Sequence, residues 1–160
     1  MPQNDAEQAL MPSILDRLID PDSEGTAWRR GYSVEQMSDA VKRDLEDLLN
    51  TRQSHIGLPE EFVELHRSIH AFGLPDITSL NAITPQQREE IGKVLEAIDE
   101  RYEPRLREVH ATMTDPGDGK ERTVKFRIDA RLNVDPAPEV AFETVLELMT
   151  GHYSVQPAGS

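Results

Sequence analysis

The chain contains no cysteine, which excludes a disulfide framework, a thiolate nucleophile, a zinc ribbon and an iron–sulfur cluster together. It has no stretch near the roughly 18 uninterrupted apolar residues that a membrane-spanning helix needs, so direct membrane insertion is not expected. Positive charge is in deficit: 17 Lys and Arg stand against 30 Asp and Glu, a net charge of −13. Nucleic acid and anionic lipid are polyanionic, so neither is expected as a main partner. There is no internal repeat, dinucleotide fingerprint or Walker loop. No serine sits in a Gly-x-Ser-x-Gly setting, so a triad hydrolase has no support. The N-terminus lacks the basic-then-apolar pattern of a secretory signal, which makes the cytoplasm the expected location.

What is present fits one domain, since 160 residues, 37% of them hydrophobic, can bury a core without a metal or a cross-link. Residues 1–12 read as a flexible tail and 156–160 as a second one, with the domain at 13–155. Leu15, Leu18 and Ile19 share one face of a short helix closed by Pro21. From Asp20 to Tyr32 the chain is acidic, with Trp28 and Tyr32 as its sizeable apolar groups, and reads as a linker or docking loop.

Ser33 with Gln36 makes a capping box. After it Val34, Met37, Val41, Leu45, Leu48 and Leu49 follow a 3.6-residue period, which predicts a surface helix. A second is expected at about Glu60 to Phe72, with Phe62, Leu65, Ile69 and Phe72 inward and Gly73 ending it. A third opens at Thr84-Pro85-Gln86-Gln87, presents Ile91, Val94, Leu95 and Ile98 to the core, and stops at Pro104. Then the period changes to two. Val109, Ala111 and Met113 alternate with polar residues, Asp115 to Gly119 supplies turn chemistry, and Thr123 to Val134 alternates throughout.

In that last run Val124, Phe126, Ile128, Ala130, Leu132 and Val134 point one way, while Lys125, Arg127 and Arg131 stand on the other and concentrate positive charge there. One dry and one wet face belong to an antiparallel sheet. Val140, Phe142, Leu146 and Leu148 suggest another strand, with helix left open by Val145 and Met149, and Tyr153 to Val155 a short terminal one. Helices first and strands second predict an α+β domain, N-terminal helices packed on a small, mainly antiparallel sheet.

No catalytic residue, metal site or cofactor is expected. His66 and His70 have a zinc-compatible spacing, but no adjacent Glu completes a motif and a third ligand would have to come from His55, His110 or His152. With Asp115 as the first position of a calcium loop, the twelfth is Phe126, where Glu is required. Asp16 with Asp20, and Glu96 with Glu100, read as solvated helix faces, and Glu89 with Lys93 as an i,i+4 pair.

Glu103-Pro104-Arg105 is the segment that composition does not account for. Pro104 ends a helix, but an Arg beside a rigid Pro can present its planar fork to a partner's carboxylate or carbonyls. On that reading Arg105→Ala and Glu103→Ala leave folding nearly unchanged and remove docking. Lys125, Arg127 and Arg131 form a second candidate surface, through a sheet edge that pairs with a partner strand.

Leu15-Asp16-Arg17-Leu18 with Asp20-Pro21-Asp22, the run from Val41 to Arg52, Gly73-Leu74-Pro75-Asp76, Glu103-Pro104-Arg105-Leu106 and Thr150-Gly151-His152-Tyr153, in this order, resemble the TssE family. These are baseplate subunits of the bacterial type VI secretion system, related to a wedge protein of contractile phage tails. The resemblance covers about Ser13 to Val155. It implies a cytoplasmic, non-enzymatic assembly protein at an inner-membrane-docked baseplate of a Gram-negative bacterium. The implied partners are the wedge subunits TssF, TssG and TssK and the sheath subunits TssB and TssC, with Glu103, Pro104 and Arg105 as the family's functional motif. Family members are often labelled lysozyme-like, so a muramidase acting on cell-wall glycan is the alternative.

Overall fold

The structure, a computed structural model, describes residues 10–19, 31–53, 57, 59–75, 85–114, 123–147 and 150–158. The Asp20 to Tyr32 segment up to Arg30, the Thr84 cap, the Asp115 to Gly119 turn, Leu148 and Met149 lie outside the described residues. So do residues 1–9 and 159–160 of the expected tails.

The helices are α1 (Ile14–Ile19), α2 (Val34–Asn50), α3 (Val63–His66) and α4 (Pro85–Tyr102). They precede β1 (Leu106–Thr114), β2 (Thr123–Leu132), β3 (Glu139–Glu147) and β4 (His152–Pro157), an antiparallel sheet in the order β1-β2-β3-β4. This is the α+β domain that the change of period predicts. Both halves of the Ser33–Gln36 capping box form, and Met37, Val41, Leu45, Leu48 and Leu49 are buried. Val34, at the first turn, stays exposed. The α4 face closes over Ile91, Leu95 and Ile98, and Lys93 Nζ lies 2.7 Å from Glu89 on the wet side.

On β2 the alternation holds from Val124 to Leu132, and these inward residues meet α2 and α4 in one core. The strand stops two residues before Val134, whose N–H turns back to Leu132 O at 2.9 Å. Residues 139–147 are a strand, so the helical alternative falls. At β1 a bulge near Glu108, whose φ is 53°, lets Leu106 and Val109 both face inward although they are three apart. The final strand runs through Pro157, two residues beyond the expected boundary. Leu10 is no loose tail residue either: it is buried and bridges to Tyr32.

The helix expected over about Glu60 to Phe72 does not form as one element. It is four residues of α3 followed by a 3-10 turn at Ile69–Ala71. Ser68 separates them in extended backbone, donating through Oγ to Leu65 O at 2.7 Å and accepting from the His70 N–H at 3.3 Å. Phe62 and Ile69 consequently face solvent, Ile69 at 84% exposure. Gly73 serves a different purpose from ending a helix. Its φ is 99°, and a Cβ there would lie 2.4 Å from Thr51 O, inside the parallel bridge that joins Arg52 to Leu74.

Candidate functional site

After Tyr102, Pro104 can donate no N–H to a further helical turn, and Leu106 N–H closes a turn on Glu103 O at 3.0 Å. Asn133 braces the same turn, its Nδ2 donating to Pro104 O at 3.2 Å. Within it the Glu103 carboxylate folds back on Arg105. Oε1 accepts from the Arg105 backbone N–H at 3.0 Å and from Nε at 2.7 Å, and Oε2 accepts from the same guanidinium. Glu103 is buried, Pro104 exposed and Arg105 half-buried. Arg105 then reaches Asp44 of α2 at 2.6 Å and comes within 3.9 Å of Asp16 of α1.

Asp16 is 1% exposed. Its Oδ1 lies 2.5 Å from Arg43 NH2, and its Oδ2 accepts from the Ser13 N–H at 3.0 Å while Ser13 Oγ accepts from the Asp16 N–H. Arg43 also grips Asp44, through Nε at 3.0 Å and NH2 at 2.7 Å. The result is an alternating chain, Asp16–Arg43–Asp44–Arg105–Glu103, that ties α1, α2 and the α4–β1 junction together. Burial works against the Arg105 charge, and the hydrogen bonds and charges of Glu103 and Asp44 outweigh it, so its pKa is raised. Burial likewise opposes the Asp16 charge. Its bonds to Arg43 and Ser13 prevail and hold its carboxyl below the usual range.

The carboxylates that Arg105 meets here therefore belong to its own chain, whereas the sequence reading aims its fork at a partner. Asp16, read there as part of a solvated face, is the most buried member of the cluster. Arg43 and Asp44 were equally invisible as site residues. Two signals bear on them: the Ser13-x-x-Asp16 cap, and the Arg43-Asp44 pair set between the core residues Val41 and Leu45.

Because α1 turns Asp16 inward, it turns its apolar residues outward. Leu15, Leu18 and Ile19 share a face as expected, but that face is wet. Ile14 at 76% exposure and Leu18 at 77% lie on one side of α1, with Met11 exposed just before the helix, and Asp16 is the helix's buried residue. These apolar side chains have no cover within the described residues.

Lys125, Arg127 and Arg131 do lie on the outer face of β2, but the expected positive surface does not result. Arg127 sits 2.9 Å from Asp129 and faces Glu143 across the ladder, and Arg131 sits 2.9 Å from Glu139 and 3.6 Å from Glu108. Arg127 is thus paired within its own strand and Arg131 across strands. Lys125, opposite Val145, has no ion pair among the described residues. β2 is also an interior strand, paired on both sides, so these cations guard no sheet edge.

Asp99 is the one carboxyl among the described residues pushed well up, to about 8, by burial and then by the Glu103 charge. It is completely buried, with neither oxygen hydrogen bonded among the described residues, so it can reach no substrate as a general acid. No described helix is long and apolar enough to cross a membrane.

A family model for the baseplate wedge protein gp25 matches residues 35–137, a span that includes α2, α4, β1, β2 and the Glu103–Arg105 turn. Among solved structures, a chain of the baseplate complex from the type VI secretion system aligns with a TM-score of 0.49 and 20% identity, over 69% of this chain and 94% of that one. No curated protein matches.

Proposed function

The chain belongs to the family of the baseplate wedge protein gp25, and we propose that it serves as the TssE-type structural subunit of a type VI secretion baseplate. In this role it joins the wedge subunits TssF, TssG and TssK to the sheath subunits TssB and TssC and helps to start sheath assembly. Its place is the cytoplasmic side of a Gram-negative inner membrane, and it acts by docking rather than by catalysis. The ordered motifs from Leu15 to Tyr153 support the TssE-type assignment.

The observation that carries this reading is the outward stripe of α1. Burying a Leu or Ile side chain contributes roughly 1.5–3 kcal/mol, so Ile14, Leu15 and Leu18 alone offer a partner several kcal/mol. The ion-pair chain keeps them from collapsing onto their own core. Glu103 and Arg105 thus act by holding α1, and Pro104 between them is exposed. Contacts toward the sheath fall to the outer sheet face, where Lys125 has no ion pair among the described residues and Arg127 and Arg131 are already held.

The test is co-purification of tagged chain with co-expressed TssF and TssG, alongside fluorescent sheath formation in cells lacking the native gene. Ile14→Asp with Leu18→Asp is expected to melt like the parent, lose the wedge subunits and abolish sheaths. Normal assembly by that variant would remove α1 from the interface. Peptidoglycan turnover abolished by a single Glu→Gln change would replace this reading with the muramidase.

A further inference from the structure

The two outer strands of an open sheet leave a row of backbone N–H and C=O groups that another strand can use. In an antiparallel pair, alternate residues point these groups at the neighbour and away from it. On β4 the register Leu146–Tyr153, Thr144–Val155 and Phe142–Pro157 makes Tyr153, Val155 and Pro157 the outward-pointing set. Each of the three is silenced in a different way. Asn50 Oδ1 accepts from the Tyr153 N–H at 2.9 Å while Asn50 Nδ2 donates to Tyr153 O at 2.8 Å. Glu46 Oε2 accepts from the Val155 N–H at 3.3 Å. Pro157 has no N–H at all.

The Asn50 geometry is that of a peptide group. A carboxamide carries one acceptor and a pair of donor hydrogens, and Asn50 spends one acceptor and one donor on the same residue of β4, as a paired strand would. Its remaining N–H donates to Glu46 O at 2.8 Å, which fixes the amide's orientation on the last turn of α2. Arg52 then holds the adjoining turn through Gly151 O at 2.6 Å.

We propose that Asn50 and Glu46 stand in for a neighbouring strand along β4 and, with Pro157, close that edge of the sheet to a second copy of this chain. The protected edge is the one that an identical edge could pair with antiparallel, by twofold symmetry. The inference does not depend on the baseplate assignment.

The experiment uses the full chain and reads backbone amide exchange together with sedimentation as concentration is raised. Asn50→Ala should speed exchange at Tyr153 about tenfold, the loss of roughly one hydrogen bond, and leave Ser154 and Gln156, which bond to β3, comparatively slow. The decisive variant joins Glu46→Ala to Pro157→Ala. It restores two consecutive outward donors at the far end of β4 and leaves Asn50 in place. It should self-associate with rising concentration, and the Val155 amide should regain protection in the associated form. Glu46→Gln, which keeps an acceptor, should stay monomeric. A folded, monomeric Glu46→Ala/Pro157→Ala protein would overturn the proposal, as would association that protects β1 amides instead. Should that variant not fold, Glu46→Leu joined to Pro157→Ser, which frees the same two outward donors and keeps side-chain bulk at position 46, gives the same two outcomes.

Discussion

Arg105→Ala separates two incompatible views of the Glu-Pro-Arg turn. If the guanidinium only awaited a partner, its removal would fall within the ±0.5 kcal/mol usual for surface changes. The structure sets a different magnitude. Glu103 is 3% exposed and loses its bonds to Nε and NH2, Asp44 loses a 2.6 Å contact, and Asp16 loses a neighbouring positive charge. Removing one partner of a buried pair typically costs about 3–5 kcal/mol, because the other charge stays in place without compensation. In a domain of this size 1 kcal/mol moves the melting temperature by about 2–4 °C, so a drop on the order of 10 °C is expected. Urea denaturation at neutral pH, followed by circular dichroism, measures it directly. Glu103→Gln in the same background should recover part of the loss, since a neutral amide buried there needs no counter-charge, and a double-mutant cycle isolates the pair. An Arg105→Ala protein melting within a degree or two of the parent would refute the clamp and return Arg105 to the role of a free fork.

Asp16→Asn should leave the core transition in place while hydrogen exchange accelerates selectively across Ser13–Ile19, since Asp16 is the helix's buried anchor; uniform acceleration would contradict this. Because the folded Asp16 pKa is depressed, its contribution is full above about pH 4 and disappears as pH falls through the folded value. Acid melts of the parent should therefore show a limb that Asp16→Asn lacks. Asp99 has the opposite sign: its raised pKa keeps it protonated in the fold while the unfolded chain ionises, so stability falls as pH rises from about 4 to about 8. Asp99→Asn should flatten that slope and melt higher than the parent at pH 8, and parallel curves would refute it. Gly73→Ala combines a positive φ, costing about 1–3 kcal/mol, with a 2.4 Å approach to Thr51 O, so it should lower urea midpoints clearly and loosen the Arg52–Leu74 bridge.

The elements legible in the sequence are those whose signal is local. α2 declares itself by a capping box and a helical period kept over 17 residues, and β2 by alternation between two paired neighbours. The segment after Glu60 fails because its apolar spacing is helical while Ser68 bonds its own backbone, a competition that periodicity does not register. The site fails for a different reason. Leu15, Leu18 and Ile19 define a face correctly, but which face turns inward is decided by Arg43 and Arg105, far away in the chain. A buried aspartate flanked by exposed leucines inverts the usual rule, and only the three-dimensional placement of its cations reveals it. On the outer face of β2 the alternation places the cations correctly, but the carboxylates that pair Arg131, Glu139 and Glu108, come from adjacent strands.

During synthesis α1 leaves the ribosome long before Arg105 does, and Arg105 becomes fixed only when the β1 turn has closed on Asn133 at the end of β2. Until then Asp16 has Arg43 alone of its two cations. Stiffness of the docking helix thus reports that the distant sheet has formed. A partner that requires a rigid α1 admits finished copies and passes over truncated or half-folded ones. If α1 docks as proposed above, the salt-bridge chain would make its docking depend on completion of the sheet.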